Sequence, residues 1–183
     1  MKKKIAWLMS VVLTLSLTCP VLAAQTESEL DRAGKYLKEQ GIMVGDNNGD
    51  MIFGNNLTRA HLAVLLARLV GNPEHLAADQ SFYASQCVFT DVPDWAQSYV
   101  GYAYAKGYTN GYTATLWRPN QTVSLNQYTE FLLRALGYSS VTNTDLSDTL
   151  DRAVSAGLIN SKESAALAKV SFLRAELVYL SFR

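Results

Sequence analysis

The chain has 183 residues, 49% hydrophobic and 17% charged, with 16 basic and 16 acidic side chains. This balance is that of a globular protein and excludes a disordered or collagen-like chain. Lys2, Lys3 and Lys4 precede an apolar run from Ile5 to about Leu17, followed by Pro20 and Val21-Leu22-Ala23-Ala24. That order predicts a secretory signal peptide over 1–24, cleaved after Ala23 or Ala24. Its removal leaves 13 basic and 16 acidic groups, a formal −3, so nucleic-acid binding through a general basic field is excluded. No second apolar run approaches the ~20 residues of a membrane helix, so no membrane span is expected after cleavage. Cys87 is then the one remaining thiol. It excludes an internal disulfide and reads as a small buried hydrophobe.

Internal self-similarity organises the rest. Gly41, Gly107 and Gly157 each end a helical pattern and precede an apolar residue. Eighteen residues on from the first two stand Arg59 and Leu125; seventeen on from the third stands Arg174. The predicted units are 28–71, 89–137 and a truncated 145–183, each reading helix, glycine stop, irregular loop, helix. The segment 72–88, with Pro73, Asp79 and Gln80, reads as a linker. The glycines suit the C′ position, where positive φ costs glycine little. In the second helices Leu62, Leu65, Leu66 and Leu69 fall at i, i+3, i+4 and i+7. Tyr128, Phe131, Leu132 and Ala135 take the same offsets, and Leu177, Leu180 and Ser181 take part of them. One such helix pair cannot bury its own apolar face. Three can share a core, which predicts a mainly α fold: three helix–loop–helix repeats packed as a pseudo-threefold bundle.

Phe89-Thr90-Asp91-Val92-Pro93, Trp95-Ala96, Lys106-Gly107-Tyr108, Asn110-Gly111 and Trp117-Arg118-Pro119 follow one another in the middle unit. With Thr58-Arg59-Ala60-His61 and Leu173-Arg174-Ala175-Glu176 at helix starts, the chain resembles S-layer homology proteins. The resemblance implies a secreted protein held on a bacterial cell wall. It also implies grooves between repeats that bind secondary cell-wall polysaccharide, often through a pyruvylated sugar. The chain departs from the pattern in three places. The first unit lacks the Phe-x-Asp-Val opening, the second has Ser124-Leu125-Asn126-Gln127 in place of the arginine motif, and the third lacks the Gly-x-Phe-x-Pro loop.

Helix capping accounts for part of the motif. Ser124 to Gln127 is a capping box, Thr58 is a cap with a poorer partner in His61, and Glu176 follows Leu173 at the cap position. Capping does not require Arg59 or Arg174, since a cation in the first turn opposes the helix dipole by about 0.3–1 kcal/mol. Free N–H groups beside a guanidinium make a carboxylate site, so these two arginines are candidates for an acidic sugar. The alternative is a structural ion pair to a neighbouring unit. Trp95 and Trp117 are the tryptophans left after cleavage. At helical spacing Trp95, Tyr99 and Tyr102 read as core, or as a flat platform for a sugar face. Trp117, in a loop before Arg118-Pro119, reads either way. Asp91 either accepts from sugar hydroxyls or caps the helix at Pro93-Asp94.

Other chemistries find no support in the sequence. A calcium loop starting at Asp46 would want Gly and Glu where Met51 and Leu57 stand, so Gly45 to Asp50 reads as a turn. His61 and His75 lack metal-ligand spacing, and no nucleophile elbow or phosphate-binding glycine loop occurs. The expectation is a non-enzymatic module without cofactor or metal. It would bind an anionic, pyruvylated or otherwise acid-bearing wall polysaccharide through Arg59, Arg174, Asp91, Trp95, Trp117 and Arg118. The alternative is a structural subunit or adaptor that contacts other cell-surface proteins.

Overall fold

A computed structural model describes residues 27–45, 48–71 and 73–182. The signal peptide expected over 1–24 lies outside the described residues, as do Asp46 and Asn47 of the expected turn. The described chain is mainly helical. Its elements are α1 (Glu27–Glu39), α2 (Arg59–Val70), α3 (Pro73–Ala78), α4 (Gln80–Ser85), α5 (Asp94–Ala105), α6 (Leu125–Ala135), α7 (Thr149–Ser155), α8 (Ser161–Leu167) and α9 (Arg174–Phe182). None of these helices is long and apolar enough to cross a membrane. Strands are absent among the described residues; one isolated antiparallel bridge pairs Thr58 with Thr122.

The glycine stops are where the sequence puts them. Gly41, Gly107 and Gly157 have φ of 67°, 71° and 73°. In each case the next residue's N–H reaches back five positions: Ile42 to Leu37 O, Tyr108 to Ala103 O and Leu158 to Ala153 O, at 2.8–2.9 Å. These 6→1 bonds satisfy carbonyls that a helix end leaves open and turn the apolar residue inward. The capping box at α6 forms, with Ser124 and Gln127 each bonding the other's backbone N–H. At α9 half of one forms, as Glu176 accepts from Leu173 N at 2.8 Å.

The main core lies where α1, α2, α6 and α9 meet. Leu37, Leu62, Leu66, Tyr128 and Leu177 are at most 1% exposed there. The expected i, i+3, i+4 stripes of α2 and α6 supply it. Tyr128 would leave a hydroxyl stranded in this core, but Ser181 of α9 hydrogen-bonds it. Burial pushes the Tyr128 phenol pKa up.

Two segments differ from the expectation. The stretch read as a linker contains α3 and α4, and α4 packs on α5. Pro73 opens α3, a first-turn position that needs no N–H. The contact with α5 is tight enough to exclude any side chain at Gly101, where a Cβ would lie 1.8 Å from Tyr83 O. In the third unit the expected irregular loop is α8, started by a capping box of Asn160 and Glu163. Ala153, Ile159 and Leu167 of this region form a separate small core that includes Leu125 of α6. Buried Glu130 of α6 ties the region down: Arg134 Nε and Ser139 Oγ donate to it at 3.0 and 2.6 Å, and Arg152 Nη1 lies 2.8 Å away. Removing one member of such a buried set leaves an uncompensated charge.

The α4–α5 contact gives a direct test. Overpacking costs about 1–3 kcal/mol and sometimes more, so Gly101→Ala is expected to lower unfolding free energy by roughly 3 kcal/mol. Gly54, where a Cβ meets nothing within 4 Å, is the control, and Gly54→Ala should change it by less than about 0.5 kcal/mol. Urea denaturation reads both.

Candidate functional site

The two arginines at helix starts do the same job. Arg59 Nε donates to Trp117 O at 2.8 Å. Beside it the N–H groups of Arg59 and Ala60 donate to Gln121 O and Pro119 O, both at 2.9 Å. Arg174 Nε donates to Met51 O at 2.8 Å, and the N–H groups of Arg174 and Ala175 donate to Asn55 O and Phe53 O at 2.9 and 3.1 Å. Each clasp therefore grips three carbonyls at alternate positions of a loop from another unit. The second loop residue has positive φ in both: 59° at Arg118 and 46° at Ile52. Such a φ is uncommon in non-glycine residues and unusual for a β-branched one.

This geometry corrects the reading of the helix starts as open carboxylate sites. Their first two N–H groups are already bonded to loop carbonyls and are not open to a ligand. It also replaces the expected structural ion pair, because no carboxylate is in salt-bridge contact with Arg59 or Arg174 among the described residues. Arg59 is only 7% exposed, with its guanidinium carbon 4.6 Å from the Trp117 ring centroid. Burial lowers its pKa to about 10, against the opposing pull of Asp91, so it stays charged at neutral pH.

Asp91, Trp117 and Arg118 sit in this same clasp. Trp117 is fully buried, with its indole N–H on Thr109 Oγ1 at 3.1 Å, and presents no face to a sugar. Asp91 neither caps α5 nor reaches solvent ligands. Its two oxygens accept from Trp117 N and Arg118 N at 2.8 Å each, immediately ahead of the positive φ at Arg118. Pro93 takes the α5 cap position without a side-chain bond. Arg118 is exposed and stacks on Tyr112, 3.3 Å from the ring centroid.

Arg174 and Trp95 come together elsewhere. A groove of about 300 Å³ is lined by Arg174 and Trp95 along with Val44, His61, Arg68 and Tyr99. Trp95, which its spacing leaves open between core and sugar platform, is 53% exposed. Its ring lies 5.8 Å from that of His61. Arg174 is partly buried; beyond its bond to Met51 O it makes one long contact, Nη2 to Val44 O at 3.4 Å. Burial lowers its pKa. Partial burial, then the Arg174 charge, lower that of His61, so His61 is neutral at neutral pH. No acidic side chain among the described residues lines the groove. The arrangement combines two guanidinium groups with two aromatic rings and suits an anion that carries an apolar face.

The sequence singles out neither His61 nor Arg68 as a site residue, and leaves Tyr99 open between core and sugar platform. Their signal was present all the same: His61, Val64, Leu65 and Arg68 form an i, i+3, i+4, i+7 stripe on α2. It is offset by one residue from the core stripe, with a charge at one end and an imidazole at the other. Trp95 and Tyr99 are an i, i+4 pair on α5. No group of three or more His, Cys, Asp or Glu close enough to hold a metal occurs among the described residues.

Residues 88–128 match the S-layer homology domain. Over 118 residues, 63% of the chain, the sequence is 26% identical to a surface layer protein of Brevibacillus choshinensis. Over a stretch of the same length it is 25% identical to a middle cell wall protein of Brevibacillus brevis. The matched stretch is 10% and 11% of those proteins, so the chain aligns with about a tenth of the length of either relative.

The clasp predicts an asymmetry in stability. A hydrogen bond from a charged group contributes about 1.5–3 kcal/mol and a cation–π contact about 0.5–2, so Arg59→Ala should cost about 3 kcal/mol. Arg59→Lys, which lacks both the Nε donor and the planar face, should recover less than half of that. Arg174→Ala, in a wetter setting without a ring beneath it, should cost about 1 kcal/mol. Urea denaturation of the three variants measures the order.

Proposed function

We propose that this chain, which carries an S-layer homology domain over residues 88–128, anchors at the bacterial cell surface by holding an acidic wall polysaccharide in the groove between α2 and α5. The domain match and the two surface-layer and cell-wall relatives support cell-surface anchoring. The observation that carries the finer reading is the groove lining: Arg174 and Arg68 around one cavity with Trp95, Tyr99 and neutral His61, and no carboxylate among the described residues. The guanidinium groups pair with the acid, a pyruvyl ketal or a uronate. The Trp95 ring covers the apolar face of the sugar. No covalent chemistry is needed, and the role is binding alone. Arg59, Asp91 and Trp117 serve it indirectly, by fixing the loop of the middle unit on α2.

Co-sedimentation with purified cell walls tests this. A charge-assisted pair is worth about 1.5–3 kcal/mol, so Arg174→Ala and Arg68→Ala should each weaken binding about tenfold or more. Trp95→Ala should weaken it several-fold. Arg59→Ala, checked as folded by circular dichroism, should retain the wild-type affinity. Undiminished binding by the folded Arg174→Ala/Arg68→Ala pair would contradict the site. Retained binding to walls stripped of secondary polymer would favour a protein partner at the surface.

A further inference from the structure

We propose that the groove continues past Arg68 into a second compartment, built by α3 and α4, that receives the sugar next to the acid-bearing one. The inference rests on the reading above that the groove takes an acidic glycan. It specifies the ligand further, as a chain of at least two residues with the acid at the Arg174 end.

The adjoining cavity measures about 410 Å³ and shares Val44, Arg68 and Tyr99 with the first. Each compartment is of the size that small-molecule sites occupy, about 300–1,000 Å³. The far wall is given by Ala77 of α3 and Gln80 of α4, so it exists because the segment between the first and second units is helical. The segment joining the second and third units contains no helix.

The chemistry of the two compartments differs. Arg68 stands at the junction, its guanidinium carbon 5.8 Å from the Tyr99 ring centroid, and among the described residues it is the one charged residue in the second lining. Beyond it the polar groups are neutral. Ser98 lines the compartment and is only 3% exposed. A sugar hydroxyl, both donor and acceptor, would pair with its hydroxyl, and Gln80 lines the same compartment as a second neutral partner. A neutral, hydroxyl-matched chamber beside a cationic one fits an uncharged sugar linked to an acidic one.

Calorimetric titration of the full chain with size-fractionated acidic oligosaccharides, of one and of two residues, from Brevibacillus wall polysaccharide tests the inference. The wild type should bind the two-residue fraction about tenfold more tightly than the one-residue fraction. Ser98→Ala, a substitution a helix accepts, should keep the one-residue affinity and lose most of the gain. Equal affinity for both fractions, or a full gain in Ser98→Ala, overturns the second compartment. The groove itself stands in that case, provided the one-residue fraction still binds and Arg174→Ala abolishes it. Binding of neither fraction overturns both readings.

Discussion

An arginine at the first position of a helix, together with the two N–H groups beside it, grips three alternate carbonyls of a loop from elsewhere in the chain. This contact settles two problems at once. The start of a helix leaves N–H groups without partners, and an irregular loop leaves carbonyls without partners. Each supplies what the other lacks. The guanidinium adds a third bond, and its charge, unfavourable against the helix dipole by itself, is drawn into a fixed place. The clasp occurs twice, Arg59 on the 117–121 loop and Arg174 on the 51–55 loop. The positive φ at Arg118 and Ile52 is the local strain that three well-aligned bonds hold in place.

The two clasps diverge in what surrounds them. Around Arg59, Trp117 fills the space under the guanidinium and Asp91 secures the loop's N–H groups. The site is closed. Around Arg174, the loop offers Met51 in the equivalent place, and one side of the guanidinium is left facing a groove. Exposed Trp95 and Arg68 form the opposite wall. One motif therefore yields a structural lock in one place and a ligand-facing cation in the other, and the neighbours decide which. At α6, Leu125 supplies no guanidinium, and the third unit has a helix in place of the loop. That junction is held by the Leu125 side chain and by the buried Glu130 with Arg134 and Arg152.

Much of the fold was legible because it rests on local rules. The glycine stops, the α6 capping box and the apolar stripes of α2 and α6 are each written within a dozen residues. The helical character of 73–85 was missed because Pro73, Asp79 and Gln80 read as loop residues, although proline at a helix start is favourable. The site was legible only in part. Arg174 and Trp95 stand out by residue type, but that they line one groove with Arg68 and Tyr99 depends on helix placements that no spacing reveals. The sequence leaves Asp91 open between sugar contact and helix cap, and Trp117 between sugar platform and core, because their motif is polar and aromatic. Only the folded loop shows that the carboxylate points at backbone N–H groups and that the indole is enclosed.

The central claim is that loop carbonyls occupy both helix starts before any ligand arrives. Native-state amide hydrogen exchange of the protein alone measures this directly at the N–H groups of Arg59, Ala60, Arg174 and Ala175. The account predicts slow exchange at all four, comparable with amides inside the same helices, since each is bonded to a carbonyl of a distant loop. Rapid exchange at these positions, slowed only when wall polysaccharide is added, would mean that the helix starts are open ligand sites and would contradict it.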